Sequence, residues 1–294
     1  MITQLCINGL AAGSLVALLA AGFTIFLGGS RFFAFTYGAS YTWAAYSLLV
    51  LSRNLHFPLP VAVVLSILAA SILGMALEKL IFAPLRKTGN SALPIMLSSI
   101  GAYIIFQNIV SMVFGDVTLS VRDWPTMPGH IFLGARISRL QGLDIIIPWT
   151  CLGFVWILLR LTPLGRQLRA VSEDPELAQI FGIDTKTTIL WSTALGSGLA
   201  GLAGALASID TDMVPTIGFY AFLLGVVASI LGGRDSIIGA VLSGLLLGLI
   251  PQLGAWGIDT QWQDTIIFGV LVIFLALQPG APMRAAISGL KASP

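Results

Sequence analysis

Long runs without an ionised side chain dominate this sequence of 294 residues. No charged residue precedes Arg31, and eight more uncharged runs follow it. These runs cover residues 32–52, 54–77, 88–115, 145–159, 187–209, 213–233, 236–258 and 265–283. A segment that crosses hydrocarbon must satisfy its own backbone hydrogen bonds, so it forms a helix of about 20 apolar residues or a strand of a closed barrel. Runs of helical length predict an all-α, polytopic bundle of membrane-spanning helices.

Two of the nine runs are less regular than the others. Run 145–159 is short, but Arg160 can extend toward the membrane surface and lengthen it. Run 213–233 contains residues that favour a broken or re-entrant helix: Pro215, Gly218, Gly225, Gly232 and Gly233. We therefore expect eight or nine spans in one membrane domain over residues 1–294, with an outer loop at about 115–142 and an inner loop at about 162–186.

Composition excludes several other classes of protein. Charged residues make up 10% of the chain and apolar residues 56%, whereas a soluble domain needs a surface with about 25–35% charged residues. The net charge is only +2, and the positively charged residues are scattered between the apolar runs instead of forming a patch. This distribution argues against nucleic-acid binding. Cys6 and Cys151 both lie in apolar runs, so we expect packing residues and no disulfide scaffold.

The basic residues predict how the bundle is oriented, because Lys and Arg near span ends remain on the cytoplasmic side. With nine spans, alternate loops carry eleven and four basic residues. The larger group is Arg31, Lys79, Arg86, Lys87, Arg160, Arg166, Arg169, Lys186, Arg234, Arg284 and Lys291; the smaller group is Arg53, Arg122, Arg136 and Arg139. This bias predicts an outer N-terminus and a cytoplasmic C-terminus.

Small residues recur at four-residue spacing in three of the runs. They are Gly9, Gly13, Ala17 and Ala21; Ser192, Gly196, Ala200, Gly204 and Ser208; and Gly232, Ser236, Ala240, Gly244 and Gly248. Such stripes let helix backbones approach closely in lipid, so we expect helix packing within the chain, with a subunit interface or the lining of a solute path as alternatives. The polar pair Gln107 and Asn108 inside an apolar run either lines a path or bonds to a neighbouring helix.

Several catalytic signatures are missing from the sequence. No lysine follows a glycine as a phosphate-binding loop requires, and neither the HExxH nor the GxSxG pattern occurs. The predicted spans also carry almost no ionisable residues, whereas ion-coupled carriers usually keep one for the coupling ion. We therefore expect no enzyme activity in this chain, and we expect the energy for transport to enter through a partner.

The inner loop contains a short helix with clear boundaries. Asp174 suits the N-cap, Pro175 the first helical position, Glu176 the positive end of the helix dipole and Gly182 the C-terminal stop. Leu177, Ile180 and Phe181 then share one apolar face. A helix of two turns needs a partner surface. That surface is either the protein's own helix ends or a groove of a cytoplasmic protein.

The order of motifs along the chain resembles the permease subunits of branched-chain amino acid ABC importers. The inner loop carries Thr-Pro-Leu-Gly-Arg at 162–166, followed by Glu-Asp-Pro-Glu-Leu at 173–177. Further matching stretches lie at 77–86 with Ser-Ile-Gly at 99–101, at 194–204, and at 229–233 leading to 236–240. The charged loop pattern is the most specific of these, because glycine-rich helices occur in many membrane proteins.

The resemblance implies a multi-pass subunit of the bacterial inner membrane. Its implied partners are a second, related permease, two cytoplasmic ATP-binding subunits and an extracytoplasmic solute-binding protein. ATP and Mg²⁺ would be bound by the partner subunits, with no cofactor in this chain. The helix around Glu173 to Gly182 would be the coupling helix that transmits movement of the ATPases.

The chain departs from the family pattern after the first run. Where the family usually reads Asn-Phe-Ala-His-Gly-Glu, this sequence has Ala-Phe-Thr-Tyr-Gly-Ala at 34–39, which replaces the His and Glu by Tyr37 and Ala39. We take Tyr37 with Gln107 and Asn108 as candidate path residues. The resemblance implies that the cargo is a branched-chain amino acid or a related small polar solute, because related permeases carry amides and urea.

Other functions remain as alternatives at this stage. An autonomous channel or secondary carrier would move solute without an ATPase, and an intramembrane enzyme would need a nucleophile and base that are not recognisable here. Asp210 and Asp212 on the outer side either contact a binding protein or are ordinary residues of a solvated loop.

Overall fold

The computed structural model describes residues 2–87, 92–122, 130–132, 135–233 and 236–254, with single helical positions at 265, 267, 269 and 272. Its helices are α1 (Ile2–Ser30), α2 (Thr36–Leu49), α3 (Leu59–Leu77), α4 (Ala83–Lys87), α5 (Ala92–Phe114), α6 (Arg139–Leu161), α7 (Pro163–Glu173), α8 (Pro175–Ile180), α9 (Thr185–Asp210), α10 (Ile217–Gly232) and α11 (Ile237–Gly254). Two π-helical segments, Val50–Asn54 and Glu78–Phe82, extend α2 and α3. The ninth predicted span, 265–283, and the predicted C-terminal tail lie largely outside the described residues.

Six of the described helices are long and apolar enough to cross a membrane. They are the helical stretches Thr3–Ser30, Leu59–Lys87, Leu93–Phe114, Leu140–Leu161, Thr185–Asp210 and Ile237–Gly254. The run 213–233 forms the continuous 16-residue helix α10, so Gly218 and Gly225 do not break it. The run 32–52 forms the 14-residue α2 and part of its π-helical extension. The prediction of an all-helical membrane bundle is therefore confirmed.

The predicted outer loop is more structured than its sequence indicated. A short antiparallel hairpin, β1 (His130–Phe132) and β2 (Ala135–Ile137), lies within it, and an isolated bridge joins Leu119 to Met213 before α10. The last residues of the predicted loop belong to α6, which begins with a capping box: the Leu140 N–H donates to Ser138 Oγ, and Gln141 Oε1 accepts from the Ser138 N–H.

Helices α1 and α9 form the centre of the bundle. In each of them 83% of the residues in the most apolar stretch are buried, against 28–33% in α3, α5, α6 and α11. Aromatic rings from α1, α2 and α10 pack into the same core, with Phe23 edge-on to both Tyr37 and Phe222. The outer helices therefore present most of their apolar surface away from the protein, as helices facing lipid do.

The stripes of small residues are the places where helices touch. At Gly244 and Gly248 of α11, an added Cβ would overlap backbone atoms of Ala17 and Gly13 of α1. On the other side of α1, a Cβ on Gly196 would lie 2.8 Å from the Gly22 carbonyl oxygen, and Ser192 Oγ donates to the Ile25 carbonyl at 2.6 Å. The expectation of packing within the chain is thus confirmed for these positions.

Helix α3 does not end at the charged residue that follows its apolar run. It continues through the π-helical segment into α4, so Lys79, Arg86 and Lys87 lie on helix and not in a loop. The Glu78 side chain is 3% exposed and accepts two hydrogen bonds from Arg86, at 2.6 and 2.8 Å. Arg86 also lies over the Phe32 ring at 5.8 Å. The ion pair neutralises both charges and lets the helix continue.

The corner between α1 and α2 is attached to a third helix. The backbone N–H of Phe35 donates to Ser99 Oγ on α5 at 3.2 Å. Helix α5 otherwise packs chiefly against α2. This hydrogen bond therefore ties the corner to an outer helix that has few other neighbours.

Candidate functional site

The predicted inner loop, 162–186, folds into two helices, α7 and α8, followed by the start of α9. The expectation of a single short helix there was incomplete. Thr162 caps α7 by accepting a hydrogen bond from the Gly165 N–H at 3.2 Å, and Pro163 takes the first helical position. A Cβ on Gly165 would overlap the Leu159 carbonyl. The tight corner between α6 and α7 therefore requires glycine at this position.

The end of α7 is fastened to the end of α1 by Arg31. The Arg31 guanidinium donates to the Ser172 carbonyl at 2.9 Å and also to the Glu173 carbonyl. These carbonyls belong to the last turn of α7, where no intrahelical donor is available and the helix dipole attracts a cation. The sequence indicated Arg31 only as one of the basic residues expected on the cytoplasmic side, because its contact with residues 172 and 173 depends on the tertiary fold.

Helix α8 has the boundaries that its sequence predicts. Asp174 Oδ1 accepts hydrogen bonds from the N–H groups of Glu176 and Leu177, at 2.9 and 3.1 Å, and Pro175 occupies the first helical position. At the other end Gly182 has φ +81°, a left-handed conformation that suits glycine. The Ile183 N–H returns to the Ala178 carbonyl at 3.1 Å. The caps on both sides are therefore confirmed.

One face of α8 packs on the protein and another does not. Ala178 is buried with Val171 of α7 and Ile189 of α9 in a small apolar cluster. The predicted apolar triad points away from this cluster: Leu177 is 53% exposed, Ile180 80% and Phe181 77%. The alternative in which this triad folds back on the protein's own helix ends is therefore wrong among the described residues. We call the three side chains the α8 triad.

The next helix is capped just after α8. Asp184 Oδ1 accepts from the N–H groups of Lys186 and Thr187, at 3.1 and 3.3 Å. The Thr187 hydroxyl also donates to Asp184, and this hydrogen bond, together with that from the Thr187 N–H, holds the pKa of Asp184 below its usual value. The carboxylate stays ionised at neutral pH, so α9 starts at a fixed point beside α8.

The candidate path residues lie in different environments. Tyr37 is fully buried, and its hydroxyl donates to the Leu19 carbonyl of α1 at 2.7 Å. Gln107 is half-buried, while Asn108 is exposed and donates to the Ile104 carbonyl of its own helix at 2.7 Å. The Asn108 donor is thus satisfied within α5, without a neighbouring helix. The fold does not bring Tyr37 and Asn108 together through any described contact.

A buried carboxylate inside a candidate span was not anticipated. Asp144 lies in the second turn of α6 and is 4% exposed. It lies close enough to Asp210, at the end of α9, for the two charges to interact. The uncharged run begins at residue 145, just after Asp144, whereas α6 begins at Arg139 and includes it. Within the ranges that the structure describes, no three His, Cys, Asp or Glu side chains converge as metal ligands.

Comparison with known proteins agrees with this architecture. The family described as branched-chain amino acid transport system, permease component, matches residues 5–275. This chain belongs to that permease family. The permease is 31% identical over 292 residues to the high-affinity branched-chain amino acid transport system permease protein BraD of Pseudomonas aeruginosa, covering 94% of each chain. It is 30% identical to LivH of Escherichia coli K12, covering 94% of this permease and 93% of LivH.

Similarity also extends to a sugar permease. The fructose import permease protein FrcC of Rhizobium meliloti is 30% identical over 144 residues, which cover 46% of this permease and 39% of FrcC. No solved structure matches this permease. It is a multi-pass membrane protein, homologous to ABC permeases of bacterial inner membranes.

Proposed function

We propose that this permease is the membrane subunit of an ATP-driven importer. Together with a second permease it forms the path for branched-chain amino acids, or for a related small polar solute. Two cytoplasmic ATPases bind and hydrolyse ATP with Mg²⁺, and an extracytoplasmic binding protein delivers the solute. Similarity to BraD and LivH over nearly the full length supports this assignment and its preferred cargo.

The observation that carries the proposal is the α8 triad. Three large apolar side chains stand exposed on a capped helix, and none of the described residues covers them. Each exposed side chain of this size costs about 1.5–3 kcal/mol relative to burial, so a partner surface would be favoured strongly. An apolar helix face of this kind fits a groove of another protein, and we assign that groove to the ATPase subunit.

Substitutions in the α8 triad test the assignment. The double variant Leu177→Asp, Phe181→Asp should abolish co-purification of the ATPase encoded with this permease. Gln179→Asp is the matched control, because Gln179 is exposed on the same helix but lies outside the triad. Ala178 remains in place in all variants, so α8 keeps its own packing. Unchanged co-purification of the ATPase with the double variant would overturn the docking role of α8.

We propose nine spans with the N-terminus outside and the C-terminus cytoplasmic, which places α7 and α8 on the cytoplasmic side. The exposed Cys6 near the start of α1 gives a direct test. In a Cys151→Ser background, a membrane-impermeant maleimide should label Cys6 in intact cells. In a background that lacks both Cys6 and Cys151, a cysteine introduced at Gln179 should react only in inside-out vesicles. The reverse pattern of labelling would contradict the proposed orientation.

We propose Gln107, Asn108 and Tyr37 as residues of the solute path. The two amides supply donors and acceptors at the level of the membrane where a polar solute has no water. Tyr37 could join them only in a conformation in which its hydroxyl leaves the Leu19 carbonyl. Partial similarity to FrcC makes a sugar the second candidate cargo. Binding of leucine and of fructose to the associated binding protein separates the two.

One observation favours an alternative function, an autonomous ion-coupled carrier. Asp144 is a buried carboxylate in a candidate span, the kind of group that binds a coupling proton or cation. This carrier would move solute when the permease alone is reconstituted in vesicles with a pH gradient. The importer proposal expects no uptake in that experiment until the ATPases, the second permease and the binding protein are added.

A further inference from the structure

An open groove runs between α6 and α11 on the outside of the bundle. Both helices pack against α1, and a space of about 610 Å³ lies between them. Apolar side chains and one glycine line it: Leu152, Gly153, Trp156, Leu159, Val241 and Leu242. Leu242 is 55% exposed and Trp156 46%, so the groove opens sideways, toward the region that lipid occupies.

The length of the groove matches one leaflet of a bilayer. Along α6 its lining extends from Trp149 to Arg160. At 1.5 Å per residue this is about 16 Å, and half of a hydrocarbon core of about 30 Å is about 15 Å. An acyl chain that extends over one leaflet has this length.

Two arginines close one end of the groove. Arg160 lies over the Trp156 ring at 5.0 Å, and Arg169 of α7 donates from Nε to the Gly165 carbonyl at 3.4 Å. Neither guanidinium is paired with a carboxylate among the residues that the structure describes. Both keep free N–H donors, which match a phosphate in geometry and charge. The groove thus joins an apolar channel one leaflet long to a pair of cations at the membrane surface.

We propose that an anionic phospholipid occupies this groove, with an acyl chain between α6 and α11 and its phosphate between Arg160 and Arg169. In the proposed orientation the lipid belongs to the inner leaflet; its binding does not depend on that orientation. The headgroup bridges α6 to α7, the helix that Arg31 holds and that leads into α8. The lipid therefore fixes the position from which α8 meets its partner.

Lipid retention by the full-length purified permease tests the charge requirement. Native mass spectrometry in detergent would compare phosphatidylglycerol with phosphatidylcholine carrying the same chains. Two arginines beside an anionic lipid should favour phosphatidylglycerol by about thirtyfold. Arg160→Gln with Arg169→Gln should remove that preference, whereas Arg166→Gln should keep it, because Arg166 lies on α7 away from the groove. An undiminished preference in the double variant would overturn the proposal.

A second pair of variants tests the groove itself. Gly153→Leu fills the channel, and Gly101→Leu places the same side chain on an open face of α5; in both, the added Cβ meets no atom within 4 Å. Gly153→Leu should reduce retention of phosphatidylglycerol at least tenfold, and Gly101→Leu should not change it. Equal retention in the two variants would place the lipid elsewhere.

Two competing occupants give different results. Full displacement of phosphatidylglycerol by glycerol 3-phosphate would indicate a site for a free phosphate and not for a lipid. Loss of the lipid on assembly with the second permease would indicate a protein interface, and either result overturns the proposal. Maleimide labelling of Cys6 reports orientation separately, so a failure of the proposed topology would not be confused with a failure of lipid binding.

Discussion

Single glycines set the distance between the central helices. A Cβ on Gly248 would overlap backbone atoms of Gly13, so Gly248→Ala must push α11 away from α1. We expect this variant to destabilise the permease by about 1–3 kcal/mol, as overpacking of a tight interface does. Thermal unfolding in detergent measures the change.

The matched control is Gly101→Ala on α5. An added Cβ there meets nothing within 4 Å, and alanine is the better helix former, so stability should stay the same or rise by up to about 1 kcal/mol. If the two alanine variants melted at the same temperature, close approach at Gly248 would not be what holds α11 to α1.

The buried pair of Glu78 and Arg86 predicts an asymmetry between its two partners. Glu78 is 3% exposed and Arg86 25%, so removing the arginine leaves the more deeply buried charge without a partner. Arg86→Met should cost about 3 kcal/mol at neutral pH, and Glu78→Gln clearly less. The double variant should recover part of the loss, and a thermodynamic cycle of unfolding free energies measures this coupling. Additive losses would show that the pair contributes nothing beyond its separate residues.

The same pair explains where sequence reasoning placed a helix end wrongly. An apolar run that meets Glu78 reads as finished, because an isolated charge is costly in lipid. Its partner, Arg86, is eight residues away across a π-helical segment. In a regular α-helix the neighbouring side chains are three or four residues apart, so a spacing of eight does not predict a contact. The sequence contained both residues but gave no local signal that they meet.

Arg31 holds the junction between α7 and α8 by hydrogen bonds to two backbone carbonyls. Arg31→Ala removes the donor that joins α1 to the Ser172 and Glu173 carbonyls. We expect amide hydrogen exchange in residues 172–183 to accelerate by about tenfold, consistent with a charged hydrogen bond worth about 1.5 kcal/mol. Arg166→Ala on the same helix makes no described contact of this kind and should leave exchange unchanged. Equal protection in both variants would contradict a clamp by Arg31.

The boundaries of α8 were predictable because they depend on neighbours in sequence. Asp174, Pro175 and Gly182 act within one turn of their own positions, and the structure places each as its residue type requires. What α8 packs against was not predictable, since Val171 and Ile189 reach Ala178 only through the fold. The same limit applied to the small-residue stripes: the sequence predicted contact but not that α11 meets α1.

At the scale of the whole molecule, the bundle divides into a close-packed block and helices held by few neighbours. Backbone contacts through glycine join α1, α9 and α11, whereas α5 packs chiefly against α2. Gln107 and Asn108 lie on this loosely held helix.

If Asn108 lines the proposed path, Asn108→Leu should lower solute uptake by the assembled importer several-fold. ATPase co-purification and thermal stability should remain unchanged, because the Asn108 side chain is hydrogen-bonded only within α5. Wild-type uptake by this variant would remove Asn108 from the path.

The corner between α1 and α2 is hydrogen-bonded to two helices that are distant in sequence, α7 and α5. At the start of the corner the Arg31 guanidinium donates to a carbonyl at the end of α7. Four residues later the Phe35 N–H donates to Ser99 Oγ of α5. In the proposed importer, an ATPase bound to the α8 triad would act on this corner through Arg31, and the hydrogen bond from the Phe35 N–H would pass the displacement to α5. Under that proposal, movement of the ATPase would be felt at α5, the helix that carries Gln107 and Asn108, through one arginine and one backbone hydrogen bond.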